Sequence, residues 1–329
     1  MGIIASLALL VSLACFALTS GCRQSQNSST SGDSATGSVE SSGGESKGFV
    51  PQNLLEARRG FRTSLAAPVN DKEFLEIPNE QLFDITACES SVGPLEAYIS
   101  LPLDEDKLYP AMVWVTGGFP PGGIGAQAWE PVDPSNDQSA KVYRERGMIM
   151  MYPTLRGCSD NPGFQEGFYG EVEDVIAAGE YLRQQPYVDP DRVYLGGHST
   201  GGTLVLLVAE STDIFRGIIS FGPVDDPFHY GKQHLRYKRG RVEERILRAP
   251  IHHLDYIRTP TVVVEGTQGN IGSLMALQAA GSHNSNLTFV AVPHMDHFNV
   301  LAPANAALAD KILTQPDEPL TLKADDVVN

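Results

Sequence analysis

Ser199 stands in a sequence context that can make a hydroxyl group nucleophilic. It is the centre of residues 196–202, Gly-Gly-His-Ser-Thr-Gly-Gly, which contain a Gly-x-Ser-x-Gly pattern. Short apolar runs precede and follow this stretch, at residues 193–195 and 203–209. A strand, a tight turn and a helix are the setting in which such a serine is exposed on a strained turn. The helix that follows would direct its positive end at a developing oxyanion. The pattern therefore predicts a nucleophile at Ser199.

A serine nucleophile needs a base, and His297 is the histidine that the chain places best for this role. It follows the apolar run 288–292 and precedes the last predicted helix. A loop in that position reaches the same edge of a parallel sheet as the turn at Ser199. His294 is the nearest alternative. A metal site built on His294 and His297 would lack a third ligand, so no metal is predicted.

The loop after residues 111–115 is predicted to complete an oxyanion site. Residues 116–123, Thr-Gly-Gly-Phe-Pro-Pro-Gly-Gly, let backbone N–H groups approach a substrate carbonyl oxygen. Phe119 is the preferred donor on this loop, with Gly118 close behind and Gly117 beside them. The N–H of Thr200 would supply the second donor.

Continuous apolar runs predict the sheet that must position these residues. Runs of this kind, without alternation, indicate strands buried on both faces, as in a parallel sheet covered by helices. They occupy residues 111–115, 148–151, 193–195, 218–221, 261–264 and 288–292. Residues 82–86 and 95–100 predict an antiparallel edge. Helices are predicted at residues 53–62, 170–185, 203–209, 273–280 and 304–313. Residues 225–258 interrupt the alternation and are interpreted as a small lid.

Residues 197–202, the Thr116-Gly117-Gly118 loop and His297-Phe298 together resemble the α/β-hydrolase superfamily. The two glycines after the serine and the helix-strand lead-in are similar to its prolyl-oligopeptidase-like and dienelactone-hydrolase-like branch. The resemblance covers about residues 95–313. It implies an α/β fold with a mostly parallel sheet and helices on both faces. It also implies a serine hydrolase, an esterase or a prolyl-oligopeptidase-like peptidase, that needs no cofactor.

The acid of the triad is where this chain departs from that pattern. The resemblance implies an Asp in the turn after the strand predicted at residues 261–264, but Gly269 and Asn270 stand where it should be. The chain order serine, acid, histidine leaves other candidates. Asp225 and Asp226 follow the preceding strand and are ranked first. Glu265 ends its own strand and is ranked second, ahead of Asn270.

The N-terminus predicts export. Residues 3–18 are almost wholly apolar, and Cys22 follows small residues, so residues 1–22 resemble a lipoprotein-type signal lipidated at Cys22. Residues 23–48 are rich in Ser and Gly and predict a flexible linker. The hydrolase domain is predicted at residues 49–329, held at the bacterial cell envelope by a lipid anchor or otherwise periplasmic or secreted.

Composition limits the partners. The net charge of −16 disfavours nucleic acid. The expected partner is a small ester or short peptide, and the oligomeric state is open. Cys88 and Cys158 are in the folded part, and their pairing stays open too. The missing Asp motivates a second hypothesis, a non-catalytic, envelope-tethered binding or scaffold protein on the same fold.

Overall fold

The apolar runs of the sequence become the strands of one eight-stranded sheet. The structure is a computed structural model that describes residues 49–70, 75–104 and 106–328. Its strands are β1 (Phe83–Ser90), β2 (Gly93–Ser100), β3 (Tyr109–Val115), β4 (Ile149–Pro153), β5 (Val188–His198), β6 (Gly217–Phe221), β7 (Thr261–Gly266) and β8 (Leu287–Val292). Their order across the sheet is β1-β2-β4-β3-β5-β6-β7-β8. Strands β3 to β8 run parallel, and β1 and β2 form the antiparallel edge. The predicted fold class is confirmed.

Helices connect the parallel strands, as the alternation predicted. Helices α2 (Val142–Glu145), α3 (Glu171–Arg183), α4 (Thr200–Ala209), α5 (Val242–Ile246) and α6 (Ile271–Gly281) lie between parallel strands, whereas α1 (Leu54–Ala57) precedes the sheet and α7 (Leu301–Thr314) and α8 (Asp325–Val328) follow it. Helix α1 is shorter than the predicted helix at residues 53–62. The lid segment, residues 225–258, holds α5 and several single turns of 3-10 helix and no strand of the sheet.

Two apolar layers cover the sheet. Successive side chains of a strand point to opposite faces. Val113 of β3 accordingly belongs to the apolar cluster that includes side chains of α3, α4 and α6. Its neighbour Trp114 belongs to the cluster on the other face, which includes side chains of α2 and α7. Burial of a side chain of this size contributes about 1.5–3 kcal/mol. The sheet is thus a rigid platform whose carboxyl edge carries the loops of the site.

The predicted signal segment and linker, residues 1–22 and 23–48, lie outside the described residues. Residues 49–329 form a compact unit of their own. In the described part of the chain, we find no helix with the length and apolar character needed to cross a membrane.

No disulfide joins Cys88 to Cys158. Both are buried, and burial raises the pKa of the Cys88 thiol to about 12. The sulfur of Cys158 instead accepts a hydrogen bond from Gln165 Nε2 at 3.6 Å.

Gly201 lets the first turn of α4 press directly on strand β3. A Cβ atom at this position would lie 2.1 Å from the carbonyl oxygen of Val115. We expect Gly201→Ala to lower the free energy of unfolding by about 3 kcal/mol or more, because backbone on both sides must move. Urea unfolding followed by circular dichroism measures this loss.

Gly272 provides the matched control. It also lies in the first turn of a helix, but no heavy atom would lie within 4 Å of its added Cβ. Gly272→Ala is expected to raise the free energy of unfolding by about 0.5–1 kcal/mol. Equal stabilities for the two variants would contradict the close packing of α4 on β3.

His253 makes the stability of the lid depend on pH. Its ring is buried, and Nε2 lies 2.9 Å from the carbonyl oxygen of Ile246. Burial lowers the pKa of His253 from 6.5 to about 4. Between about pH 4 and 6.5 the unfolded chain therefore binds a proton that the folded chain does not, so stability falls as the pH is lowered.

His253→Gln is expected to flatten this dependence. The slope of unfolding free energy against pH should decrease by about 1.4 kcal/mol per pH unit inside that window and stay unchanged above pH 7. Urea titrations of both proteins at a series of pH values measure the slopes. Identical slopes would show that His253 takes up its proton equally in the two states.

Candidate active site

Ser199 occupies a strained turn at the carboxyl end of β5. Its backbone has φ 56° and ψ −115°, a left-handed conformation that non-glycine residues rarely adopt. The turn is fixed because Ser199 N–H donates to the carbonyl of Phe221 at 2.8 Å. Helix α4 begins at the next residue. Strain of this kind is typical of a strand-turn-helix nucleophile.

The loop after β3 closes over the nucleophile. A Cβ at Gly117 would lie 3.0 Å from Ser199 Cβ, so the loop backbone touches the serine. Thr200 Oγ1 donates a hydrogen bond to the carbonyl oxygen of Gly118. Within the described ranges, the N–H groups of Gly118 and Thr200 donate to no protein acceptor. Two donors beside one serine form a candidate oxyanion site.

This geometry favours Gly118 as the loop donor over Phe119, which the sequence ranked first. The peptide between them is trans, so its carbonyl and its N–H point in opposite directions. The Gly118 carbonyl is turned towards Thr200. The N–H of Phe119 consequently points away from Thr200. The N–H of Gly118 belongs to the preceding peptide, so the hydrogen bond to Thr200 does not turn it away.

His297 is paired with Glu265. Its Nδ1 lies 2.9 Å from Glu265 Oε2, and the carboxylate is fully buried. Glu265 also accepts backbone hydrogen bonds from Gly266 at 2.8 Å and Asn270 at 3.0 Å. These bonds fix the carboxylate, which in turn fixes the imidazole with Nδ1 protonated and Nε2 available as a base. No hydrogen bond joins Ser199 Oγ to His297 in the described structure; such bonds commonly tighten only on substrate binding.

His198, a neighbour the sequence analysis did not single out, brings His297 to the nucleophile. Its Nε2 lies 3.0 Å from the backbone carbonyl of His297, and the two ring centroids are 4.5 Å apart. A carbonyl only accepts, so Nε2 carries the proton. Burial and then the nearby His297 lower the pKa of His198 to about 3. It stays neutral near pH 7 and ties the loop of His297 to the residue before Ser199.

Gly269 makes room for the glutamate. A Cβ at Gly269 would lie 2.4 Å from Glu265 Oε1. The carboxylate of Glu265 thus occupies the space that a side chain at 269 would need. The glycine that seemed to signal a missing acid in the sequence is the residue that admits this one.

Asp225 and Asp226 are engaged elsewhere, and this corrects their rank ahead of Glu265. Asp225 Oδ1 accepts from Ser273 Oγ at 2.7 Å and lies 3.1 Å from His229 Nδ1. Asp226 accepts from the N–H of Phe228 at 2.8 Å and pairs with Arg245. Both carboxylates lie in the first turn of the lid and bind residues there or beside it. Neither contacts His297 in the described structure.

Asn270, the third candidate for the acid, and His294, the alternative base, have other contacts. Asn270 donates its backbone N–H to Glu265, and its side chain points to the carbonyl of Gly222. His294 is exposed, and its backbone N–H donates to Thr267. Among the described residues, no group of three His, Cys, Asp or Glu side chains could hold a metal ion.

An aromatic cluster flanks the oxyanion loop. The ring of Phe119 stacks on His234 with centroids 3.9 Å apart and meets Tyr230 edge-on at 5.2 Å. Phe168 stacks on Tyr230 at 5.8 Å. The Tyr230 hydroxyl lies 2.7 Å from Thr203 Oγ1, one turn along α4 from the nucleophile. The sequence signalled only Phe119, since the other three come from separate irregular segments.

Comparison with known proteins identifies the family. Residues 134–300, half of the chain, match the model of the prolyl oligopeptidase family. The chain belongs to this family. The matched residues include Ser199, Glu265 and His297, while the loop at residues 116–123 lies outside them.

The similarity to individual relatives covers only part of each protein. Over 132 residues, the chain is 30% identical to dipeptidyl-peptidase 5 of Porphyromonas gingivalis, covering 37% of this chain and 18% of the relative. An uncharacterized peptidase of Bacillus subtilis, YtmA, is 30% identical over 137 residues, covering 38% and 53%. A puromycin-hydrolyzing peptidase of Mycobacterium tuberculosis shares the fold, with a TM-score of 0.57, 22% identity and coverage of 75% and 42%. The chain thus spans about half or less of the length of these family members.

Proposed function

We propose that this protein is a serine hydrolase that cleaves peptide bonds through an acyl-enzyme on Ser199. The observation that carries the proposal is the pairing of His297 with the buried Glu265, next to His198 and the serine held at φ 56°. In the proposal His297 is the base and Glu265 orients it. The N–H groups of Gly118 and Thr200 hold the oxyanion.

The reaction follows from the positions of these groups. Ser199 Oγ attacks the substrate carbonyl carbon while His297 Nε2 takes the hydroxyl proton. The carbonyl electrons move to oxygen, which the two N–H donors stabilise. The C–N bond then breaks and the leaving amine takes the proton from His297. Water, activated by the same histidine, hydrolyses the acyl-enzyme and restores the Ser199 hydroxyl.

Peptides are favoured over simple esters as natural substrates. Relatives of this chain are named dipeptidyl peptidase and prolyl endopeptidase. The test is a matched set of peptidyl p-nitroanilides and p-nitrophenyl esters with the same acyl groups. Turnover of anilides with a kcat/KM within about 100-fold of the esters supports a peptidase. Turnover of the esters alone would show that the protein is an esterase and would contradict the peptidase proposal.

The scaffold hypothesis rested on the absence of an Asp at 269 or 270. The contact between Glu265 and His297 removes that motive, because a carboxylate from another position supports the histidine. A folded sample that hydrolyses neither substrate set would restore the scaffold hypothesis.

We also propose that the protein is exported and tethered to the bacterial cell envelope by lipid at Cys22. The apolar run before Cys22 and the Ser/Gly-rich residues 23–48 support this proposal. In a bacterial host, the full chain should carry a lipid adduct and sediment with membranes, whereas Cys22→Ala should carry no adduct. Release of both proteins as unlipidated soluble forms would count against the anchor.

A further inference from the structure

A small cavity lies beside the oxyanion loop, between that loop and the lid. It is lined by side chains that include Phe119, Pro121, Gln165, Phe168, His234 and Arg236. Phe119 follows Gly118, the proposed oxyanion donor, and His234 stacks on its ring. The cavity therefore lies directly beside the proposed oxyanion donor.

Arg236 brings a positive charge to this cavity. It is half-buried, and its stem packs on Gly167, where an added Cβ would lie 3.4 Å from Arg236 Cβ. In the described part of the chain, its guanidinium makes no hydrogen bond or ion pair. Three arginines of the surrounding elements do pair with carboxylates. Arg156 pairs with Asp174, Arg245 with Asp226 and Arg248 with Glu244.

The one carboxylate that lines the cavity is already engaged. Glu171 accepts from the N–H groups of Glu166 at 2.6 Å and Gly167 at 3.0 Å through Oε1. Its Oε2 accepts from the N–H of Tyr169 at 3.0 Å. The three backbone donors satisfy both oxygens, and Glu171 forms no ion pair with Arg236 in the described structure.

The net charge of the lid also favours anionic substrates. Residues 225–258 contain eight Lys or Arg and five Asp or Glu, a net charge of +3. The whole chain carries −16. A basic segment beside the site of an acidic protein concentrates anionic substrates there and disfavours cationic ones.

We infer that the substrates carry a carboxylate on the acyl side of the scissile bond and that Arg236 binds it. This inference rests on the proposed peptidase function and names its substrate class: peptides with Glu or Asp at the residue whose carbonyl is attacked or at the one before it. The planar guanidinium offers paired donors to a carboxylate, and the aromatic rings beside it hold the side chain's methylene groups.

The test compares matched p-nitroanilides that differ in one charge. Acetyl-Ala-Glu and acetyl-Ala-Gln anilides probe the first position, and acetyl-Glu-Ala and acetyl-Gln-Ala anilides probe the second. At one of the two positions, the parent protein should show a kcat/KM about 10- to 100-fold higher for Glu than for Gln. Arg236→Gln should bring that ratio close to 1, and Arg236→Lys should retain a preference for Glu.

Arg239→Gln is the matched control. Arg239 is an exposed arginine of the same segment and lies outside the cavity, so its loss should leave the Glu-to-Gln ratio unchanged. A ratio near 1 at both positions in the parent, or a ratio that Arg236→Gln preserves, would overturn the inference. Reaction with a fluorophosphonate separates the two levels of the account. A parent that labels at Ser199 without preferring Glu refutes the carboxylate site alone, whereas a folded parent that neither labels nor cleaves refutes the peptidase itself.

Discussion

Replacing Ser199 with alanine is expected to lower kcat on a peptide or ester substrate by about 10,000-fold or more. The variant keeps the oxyanion donors but has no oxygen to form the acyl-enzyme. Alanine removes only the hydroxyl group and keeps Cβ, and Ser199 Oγ makes no hydrogen bond in the described structure, so the free energy of unfolding should change little. Steady-state rates on an activated ester, with urea unfolding of the same sample, measure both quantities.

A small loss of rate would contradict the account. If Ser199→Ala keeps more than about a tenth of the parent kcat in a folded sample, another group attacks the substrate. Substrate binding is not expected to disappear with the hydroxyl. The KM or inhibition constant of a peptide product should therefore change far less than kcat.

Glu265→Gln is expected to have the second-largest effect, a fall in kcat of about 10,000-fold. The amide keeps the size of the carboxylate but removes the charge that stabilises protonated His297. An amide NH2 group facing Nδ1 would also favour the wrong tautomer, with the proton on Nε2. The remaining amide oxygen can satisfy only part of the bonds from Gly266 and Asn270, so some stability should be lost as well. The measurement is kcat across pH 5–9, with unfolding monitored separately.

Asp225→Asn is the matched control for charge removal near the site. Asp225 bonds to Ser273 and His229 and not to His297, so kcat should change less than about threefold.

An informative rescue is Glu265→Ala combined with Gly269→Asp, which moves the carboxylate to the position that the family resemblance implied. That double variant should recover part of the rate lost in Glu265→Ala. A large loss in Asp225→Asn with little loss in Glu265→Gln would reverse the assignment of the acid.

The sheet was predictable because its signal is local. Strands such as β4 and β6 are continuously buried, so hydrophobic runs mark them without knowledge of the neighbours. The nucleophile was predictable for a similar reason. The glycines around Ser199 are required by backbone contacts only one strand away, as the Gly201–Val115 approach shows.

The sequence could not put the candidates for the triad acid in the right order, because the choice depends on the length of the side chain and the space around it. Glu265 and Asp225 both follow or end a central strand, and their sequence positions are equally compatible with a triad. The choice is made by the longer side chain of Glu265 and by the space that Gly269 leaves for it. Chain order alone contains neither quantity.

The contacts of the lid residues around Phe119 could not be predicted for another reason. Tyr230, His234 and Arg236 lie in single helical turns and irregular backbone, where no periodicity shows which side faces the site. Likewise, the direction of the Phe119 N–H depends on the bond from Thr200 to the Gly118 carbonyl, a tertiary contact 82 residues apart. Three-dimensional contacts were needed for each of these assignments.

The most direct test of the central claim is to locate the adduct formed by a fluorophosphonate on the native protein. After reaction near pH 7.5 and proteolysis, mass spectrometry should find one phosphonate on the peptide that contains Ser199. Labelling should be abolished in Ser199→Ala and by prior unfolding, and it should be much slower in Glu265→Gln. A folded protein that forms no adduct, or that carries it on a different serine, would contradict the assignment of Ser199 as the nucleophile.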